Sequence, residues 1–198
     1  MSSSATLPAI YSFPPFFTRQ PNALIRKQQI TSWIEVILQY CKLKKCWSMT
    51  VEGSPVEGNP NDSNINPLTG GTDNSIFTNS EIQRSVPQVF VEEIWCQMCE
   101  ENKAVGADQG PKDSSRYYIL WRNFDSWASL VLQWFEDAGK LNQVVTIYEL
   151  TQGDETMTWE FHGMPEQLMA YCLKPLEQRN RATLINDERG KPIAVKVV

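Results

Sequence analysis

The chain has 198 residues, a hydrophobic fraction of 41% and an aromatic fraction of 11% with seven Trp. This composition is typical of folded proteins and excludes a largely disordered one. The formal net charge is −5, and acidic and basic residues are interspersed. The lack of a basic block weighs against nucleic acid as the main partner.

Neither a membrane span nor a secretion signal is evident in the sequence. No apolar stretch reaches the roughly 18 residues that a span requires, and no basic region followed by an apolar run opens the chain. The five cysteines are an odd number, which is unusual for a secreted disulfide framework and indicates reduced thiols. We therefore expect a soluble protein of the cytoplasm.

The first predicted element, residues 1–21, is an extended segment with an aromatic and proline-rich motif. Residues 11–17 read Tyr-Ser-Phe-Pro-Pro-Phe-Phe. The prolines favour an extended conformation and lower the entropy lost on docking, and each Phe contributes about 1.5–3 kcal/mol when it is buried. The residues alone leave two fates nearly equal, which are docking on a partner and packing on the chain's own first domain.

Two helices further along the chain form an internal repeat. Residues 33–40 and 127–134 both begin with Trp and end in Leu-Gln-aromatic. Apolar residues recur at helical spacing around each motif, from Ile30 to Cys41 and from Phe124 to Ala138. Asn123 and Gly139 are placed to cap the second helix.

The same order of elements follows each of these helices. A β-prone run, an amphipathic helix and two further strands are predicted in both halves. In residues 22–122 they fall at 48–51, 87–103, 104–107 and 117–121. In residues 123–198 they fall at 144–148, 165–181, 182–186 and 193–197. This order predicts an α+β fold of two tandem winged-helix domains, each with helices packed on a small antiparallel sheet.

Two features depart from a regular winged helix. Residues 52–76 are rich in Gly, Asn, Pro, Ser and Thr and predict a flexible insertion, because so few apolar residues cannot offset the entropy of ordering. Pro175 lies inside the last predicted helix, where it removes a backbone donor and predicts a kink.

Winged helices most often bind DNA through their second long helix, so a tandem winged-helix DNA-binding transcription factor is the alternative function. The predicted helix at 87–103 argues against it. Its charged residues are four carboxylates and one lysine, and phosphates would be repelled. Protein binding is the better interpretation. The charged side chains are Glu92, Glu93, Glu100, Glu101 and Lys103.

The sequence motifs give little support for a catalytic, cofactor or metal site. We therefore expect a protein that is not an enzyme. His162 is the sole histidine, and no nucleophile elbow lies near it. No phosphate-binding glycine loop is present. A zinc site from four thiolates competes with the commoner role of cysteine as a small buried residue. The four candidates are Cys41, Cys46, Cys96 and Cys99.

Several motifs together resemble the small winged-helix subunit of the ESCRT-II endosomal sorting complex, of the vacuolar protein sorting family. The first is Phe-Pro-Pro-Phe-Phe-Thr at residues 13–18, with Gln-Pro-Asn at 20–22. The others are Thr-Ile-Tyr-Glu-Leu-Thr at 146–151 and Glu-Phe-His-Gly at 160–163. The resemblance extends over nearly the whole chain.

The resemblance implies a non-catalytic adaptor without cofactors. It implies docking on two larger winged-helix ESCRT-II subunits through Pro14, Pro15, Phe16 and Phe17. It also implies recruitment of an ESCRT-III subunit by the second winged helix, through a surface that includes Val144, Val145 and Thr146. Such a complex sorts ubiquitinated cargo into multivesicular bodies, and the chain reaches the endosomal membrane from the cytoplasm indirectly, through the complex.

Overall fold

The computed structural model describes residues 7–56, 75–107 and 116–198. The chain divides into two compact units, Met1–Trp121 and Arg122–Val198. Each unit combines helices with a three-stranded antiparallel sheet, which confirms the predicted α+β class. Among the described residues, none of the helices has the length and apolarity needed to cross a bilayer.

The first unit is built on two long helices. Helix α1, Ala23–Lys44, is capped at its N-terminus by Asn22, whose side chain accepts hydrogen bonds from the amides of Leu24 and Ile25. Its C-cap is Lys45, which adopts a left-handed conformation with φ of 49°. Helix α2, Gln88–Glu100, follows later in the chain. Both bury an apolar face, which places Trp33, Phe90 and Trp95 in the core.

The strands of the first unit are β1 (Ser48–Thr50), β2 (Thr78–Asn79), β3 (Arg84–Ser85), β4 (Ala104–Gly106) and β5 (Arg116–Ile119). Strand β5 lies at the centre of the sheet β1-β5-β4, with Tyr117 opposite Met49 and Tyr118 opposite Val105. Strands β2 and β3 form a separate hairpin. The sequence did not predict this hairpin, because each strand has only two residues.

The second unit repeats the order. Its elements are α3 (Phe124–Asp137), β6 (Val144–Thr146), α4 (Ile147–Gln152), α5 (Glu166–Gln178), β7 (Ala182–Asn186) and β8 (Pro192–Val197). Asn123 caps α3 by accepting from the Ser126 amide at 2.7 Å, and Gly139 follows with φ of 63°. The predicted N-cap is confirmed, and the predicted glycine lies one residue beyond the C-cap Ala138, in the left-handed conformation that commonly ends a helix. Strand β8 is central in the sheet β6-β8-β7.

The predicted strand at 144–148 is wrong in its last two residues, which begin α4. The Thr146 hydroxyl accepts from the Glu149 amide at 3.1 Å, and the Thr146 amide donates to the Glu149 carboxylate at 2.8 Å. This reciprocal pair is a capping box, and it ends the strand because it supplies the first turn of a helix with partners. Helix α5 continues through Pro175 to Gln178.

Residues 57–74 of the predicted flexible insertion at 52–76 lie outside the described residues, and the two ends of the insertion are hydrogen-bonded to the first unit. The Val56 amide donates to the Ser48 carbonyl, and the Ile76 amide donates to the Gly53 carbonyl, each at 2.9 Å. Ile76 is buried. Gly53 has φ of 82°, and a Cβ there would lie 2.5 Å from the Phe77 ring. Only glycine fits this contact.

Candidate functional site

The N-terminal segment, here residues 7–20, folds into two 3-10 turns at Ala9–Ser12 and Pro14–Phe17. The prediction of an extended segment is therefore wrong. The Phe16 amide donates to the Phe13 carbonyl at 2.9 Å, and the Thr18 amide donates to the Pro15 carbonyl at 3.1 Å. A proline at the start of a turn suits this geometry, because it has no amide to satisfy and its φ is preset.

Phe16 and Phe17 lie in the core of the chain's own first unit, with 3% and 1% of their surface exposed. The Phe16 ring stacks on Trp33 with 4.3 Å between centroids and 10° between planes, and Phe17 meets Trp33 edge-on at 5.2 Å. This is the second of the two fates that the sequence left open. Both side chains are covered by the chain's own first unit, so in this structure neither ring is free to insert into a partner.

Helix α1 holds the backbone of the same segment. The Gln29 amide group donates to the carbonyls of Phe16 and Thr18 at 2.8 and 2.9 Å, and it accepts from the Gln20 amide at 3.3 Å. The Trp33 indole donates to the Phe16 carbonyl at 3.1 Å. Hydrogen bonds from buried donors fix the position of the turn more tightly than apolar packing alone.

Tyr11 ties the start of the segment to the β2-β3 hairpin. Its hydroxyl donates to the Ile76 carbonyl at 2.9 Å, and its own carbonyl accepts from the Asn79 side chain at 3.0 Å. Burial raises the pKa of Tyr11 to about 12, and the nearby charges of Tyr40 and Glu81 add to this effect. The segment is therefore part of the domain and not a separate tail.

An ion pair closes the far end of the segment. The Arg19 guanidinium meets the Glu93 carboxylate at 2.6 Å, and Arg26 approaches the same carboxylate at 3.7 Å. The hydrogen bond from Arg19 holds the pKa of the Glu93 carboxyl below its ordinary value, and the charges of Arg19 and Arg26 assist. Glu93 thus links the end of the segment to α2.

This ion pair should withstand mild acid. Because the pKa of Glu93 in the folded chain lies below the ordinary 4.5, its contribution is complete above about pH 4.5 and is lost as the pH falls through the folded pKa. An NMR titration of the Glu93 carboxyl should give a midpoint below 4.5, and Arg19→Gln should move it upward. A wild-type midpoint at or above 4.5 would show that the pair does not form in solution.

The segment presents another face to solvent, here named the docking face and made of Phe13, Pro14, Pro15 and Arg84. Phe13 is 56% exposed, and both prolines are exposed. A cleft of about 240 Å³ lies between the prolines and Arg84 of β3, with Thr18 and Gln20 completing its lining. Among the described residues, the exposed Arg84 guanidinium has no hydrogen bond or ion pair.

Arg84 was missed in the sequence because the hairpin that carries it was not predicted. A cleft with proline rings on one side and a guanidinium on the other can bind an aliphatic or aromatic side chain of a partner next to a carboxylate.

The second candidate surface lies on β6, where side chains alternate between the two sides of the sheet. Val144 is 57% exposed and Thr146 is also exposed, whereas Val145 between them is 3% exposed and packs in the core. Of the three predicted contact residues on β6, Val145 therefore faces the core and offers no exposed side chain to a partner. Further exposed apolar side chains of the unit include Tyr148 at 60% and Ile185 at 36%.

The outer face of this sheet is here named the β6 face and comprises Val144, Thr146, Thr183, Ile185 and Lys196. Across the sheet, Val144 and Thr183 both lie opposite Lys196. Thr146 and Ile185 both lie opposite Ala194. The face is partly apolar and is bounded by the edge strands β6 and β7.

The thiols and the histidine are not grouped into a metal centre in the part of the chain that the structure describes. No group of three His, Cys, Asp or Glu side chains able to hold a metal occurs there. Cys41 and Cys46 are buried, whereas Cys96 is exposed. His162 shares a hydrogen bond of 3.0 Å with the Thr156 hydroxyl, which gives it a structural role in the loop before α5.

The carboxylates of α2 oppose nucleic-acid binding in the structure as they did in the sequence. Glu93 is paired with Arg19, and Glu101 with Lys103 at 2.6 Å. Glu92 and Glu100 remain exposed on the same helix. A phosphate backbone at this helix would meet uncompensated negative charge.

Comparisons with known proteins agree with one another over most of the chain. The family model described as ESCRT-II complex subunit matches residues 10–165. Vacuolar protein-sorting-associated protein 25 of Saccharomyces cerevisiae is 56% identical over 207 residues, which cover 98% of this chain and 100% of the relative. The protein of the same name from Homo sapiens is 34% identical over 193 residues, which cover 98% of each.

Solved structures give the same result. The crystal structure of subunit VPS25 of the endosomal trafficking complex ESCRT-II matches with a TM-score of 0.83 at 53% identity, covering 97% of this chain and 100% of that chain. A chain in the crystal structure of the endosomal complex ESCRT-II (VPS22/VPS25/VPS36) matches with a TM-score of 0.80 at 52% identity, covering 98% of this chain and 100% of that chain.

Proposed function

The chain belongs to the Vps25 family of ESCRT-II subunits, and from this premise we propose that it is a non-catalytic adaptor in endosomal sorting. It docks on the two larger subunits of ESCRT-II, which correspond to VPS22 and VPS36 in the related complex. Its second winged helix recruits an ESCRT-III subunit. The complex brings the chain from the cytoplasm to the endosomal membrane, where ubiquitinated cargo is sorted into multivesicular bodies.

The observation that carries the docking proposal is the division of the Pro-Pro-Phe-Phe motif between two sides of one turn. Phe16 and Phe17 are buried and hold the turn on the domain, while Pro14 and Pro15 are exposed. A partner therefore meets a surface that is already formed, and little conformational entropy is lost on binding. Pro14 and Pro15 supply the apolar contact, and Arg84 supplies a charge for a partner carboxylate.

Reversing the charge of Arg84 tests this proposal. Arg84→Glu places a carboxylate beside the expected partner carboxylate, and we expect binding to the larger subunits to weaken at least about tenfold. The melting temperature should change little, because Arg84 is exposed. Isothermal titration calorimetry with the two larger subunits measures the dissociation constant.

Lys42→Glu is the matched control, since Lys42 is an exposed cation in the last turn of α1. It changes the net charge by the same amount and should leave the dissociation constant unchanged. If Arg84→Glu and Lys42→Glu behave alike, Arg84 does not belong to the docking surface.

The recruitment proposal rests on the β6 face. Val144 and Ile185 are exposed apolar residues on the two opposite edge strands of one small sheet, and Lys196 adds a positive charge on the central strand between them. Such a face fits a partner element with apolar residues and an acidic flank. Tyr148, exposed at the start of α4, extends the apolar contribution of the second unit.

A further inference from the structure

The side-chain amide of Gln29 is an unusual element of the first core. The residue is 7% exposed and lies one helical turn before Trp33 on α1. Within the described residues all hydrogen bonds of the Gln29 side chain go to the N-terminal segment, at Phe16, Thr18 and Gln20, with a longer approach of 3.5 Å to the Pro15 carbonyl. In that part of the chain the side chain bonds neither to the sheet nor to α2.

A buried amide is costly to desolvate, and an apolar side chain of the same volume would pack there without that cost. The benefit of the amide is geometric. Its donors and its acceptor engage the segment on both sides of Thr18, directly after the turn that bears Pro14 and Pro15. Burial of Phe16 and Phe17 gives no comparable directional constraint, because apolar packing is non-directional.

We propose that Gln29 is a positioning residue for docking, because it sets the backbone of the segment so that Pro14, Pro15 and Arg84 form one surface. The inference rests on the proposed function of the docking face. Gln29 touches no partner itself and acts through the carbonyls of Phe16 and Thr18. Trp33 assists with its indole donor at 3.1 Å from the Phe16 carbonyl.

Gln29→Leu is the test, because it keeps a similar volume and removes the donors and the acceptor. Binding of the full chain to the two larger subunits should weaken at least about tenfold. Amide hydrogen exchange at Gln20, read by NMR, should accelerate at the same time, since the Gln20 amide donates to Gln29. Gln29→Met serves as a second variant if the first does not fold.

Ile119→Val, in the core strand β5, is the control for a general loss of stability. It should lower the melting temperature and leave both the Gln20 exchange and the dissociation constant unchanged. Weaker binding with faster Gln20 exchange in the Gln29 variant alone would support the inference.

Unchanged binding of the Gln29 variants would overturn the inference, while weaker binding of Arg84→Glu in the same series would leave the docking face in place. Unchanged binding of the Gln29 variants and of Arg84→Glu would contradict the proposed docking face and the inference together. If Ile119→Val and Gln29→Leu weaken binding to the larger subunits equally, Gln29 contributes only to stability. That result would also overturn the inference.

Discussion

Replacing Phe16 and Phe17 with Ala is expected to unfold the first unit or to lower its melting temperature by at least about 15 °C. Loss of a buried Phe ring costs about 3–5 kcal/mol, and both rings lie within the core around Trp33. The two losses of stability are coupled because the rings also pack against each other edge-on, with 6.0 Å between their centroids. Thermal and urea denaturation of the isolated chain measure the effect.

Phe13→Ala is the control, since this ring is 56% exposed beside the same turn. It should change the stability by no more than about 0.5 kcal/mol. A double Phe16/Phe17 variant with the melting temperature of the wild type would contradict the structure. It would mean that the two rings are free in the isolated chain and available to insert into a partner.

A carboxylate at either of two adjacent residues of β6 is expected to have a large effect, on stability at one residue and on recruitment at the other. Val145→Asp places a carboxylate in the core, because Val145 is 3% exposed, and a buried charge without a partner costs several kcal/mol. The second unit should unfold. Val144→Asp lies on the exposed side of the same strand and should leave the melting temperature nearly unchanged while it prevents recruitment of the ESCRT-III subunit.

Circular dichroism melts and a pull-down with the ESCRT-III partner separate the two variants. A folded Val145→Asp chain would show that this side chain lies on the surface. Normal recruitment by a folded Val144→Asp chain would place the ESCRT-III contact away from the β6 face.

Much of the fold could be predicted because each long element carries a local signal. Apolar residues at helical spacing predicted α1, α2, α3 and α5, and Asn123 and Gly139 marked the ends of α3 correctly. The hairpin strands β7 and β8 were recognised from their β-prone runs around a turn. The short helix α4 was missed although Thr146 and Glu149 show the spacing of a capping box, because its residues are also β-prone.

The candidate site was harder to predict because it depends on contacts between distant parts of the chain. The fate of Phe16 is decided by stacking on Trp33, a contact that no local pattern shows. The docking face needs Arg84, which is brought beside Pro14 and Pro15 by a hairpin of two-residue strands. On β6 the alternation was foreseeable, but the side that faces the core follows only from pairing with β8.

The central claim is that a turn held on the first unit presents Pro14, Pro15 and Arg84 to the larger ESCRT-II subunits. The most direct test is the dissociation constant of a chain with Pro14→Ala, Pro15→Ala and Arg84→Glu. It is compared with that of the wild type after thermal melts have shown that both chains have the same melting temperature. We predict a loss of affinity of at least about a hundredfold, or about 2.7 kcal/mol, in a chain that remains folded. A folded triple variant that binds as tightly as the wild type would contradict the claim.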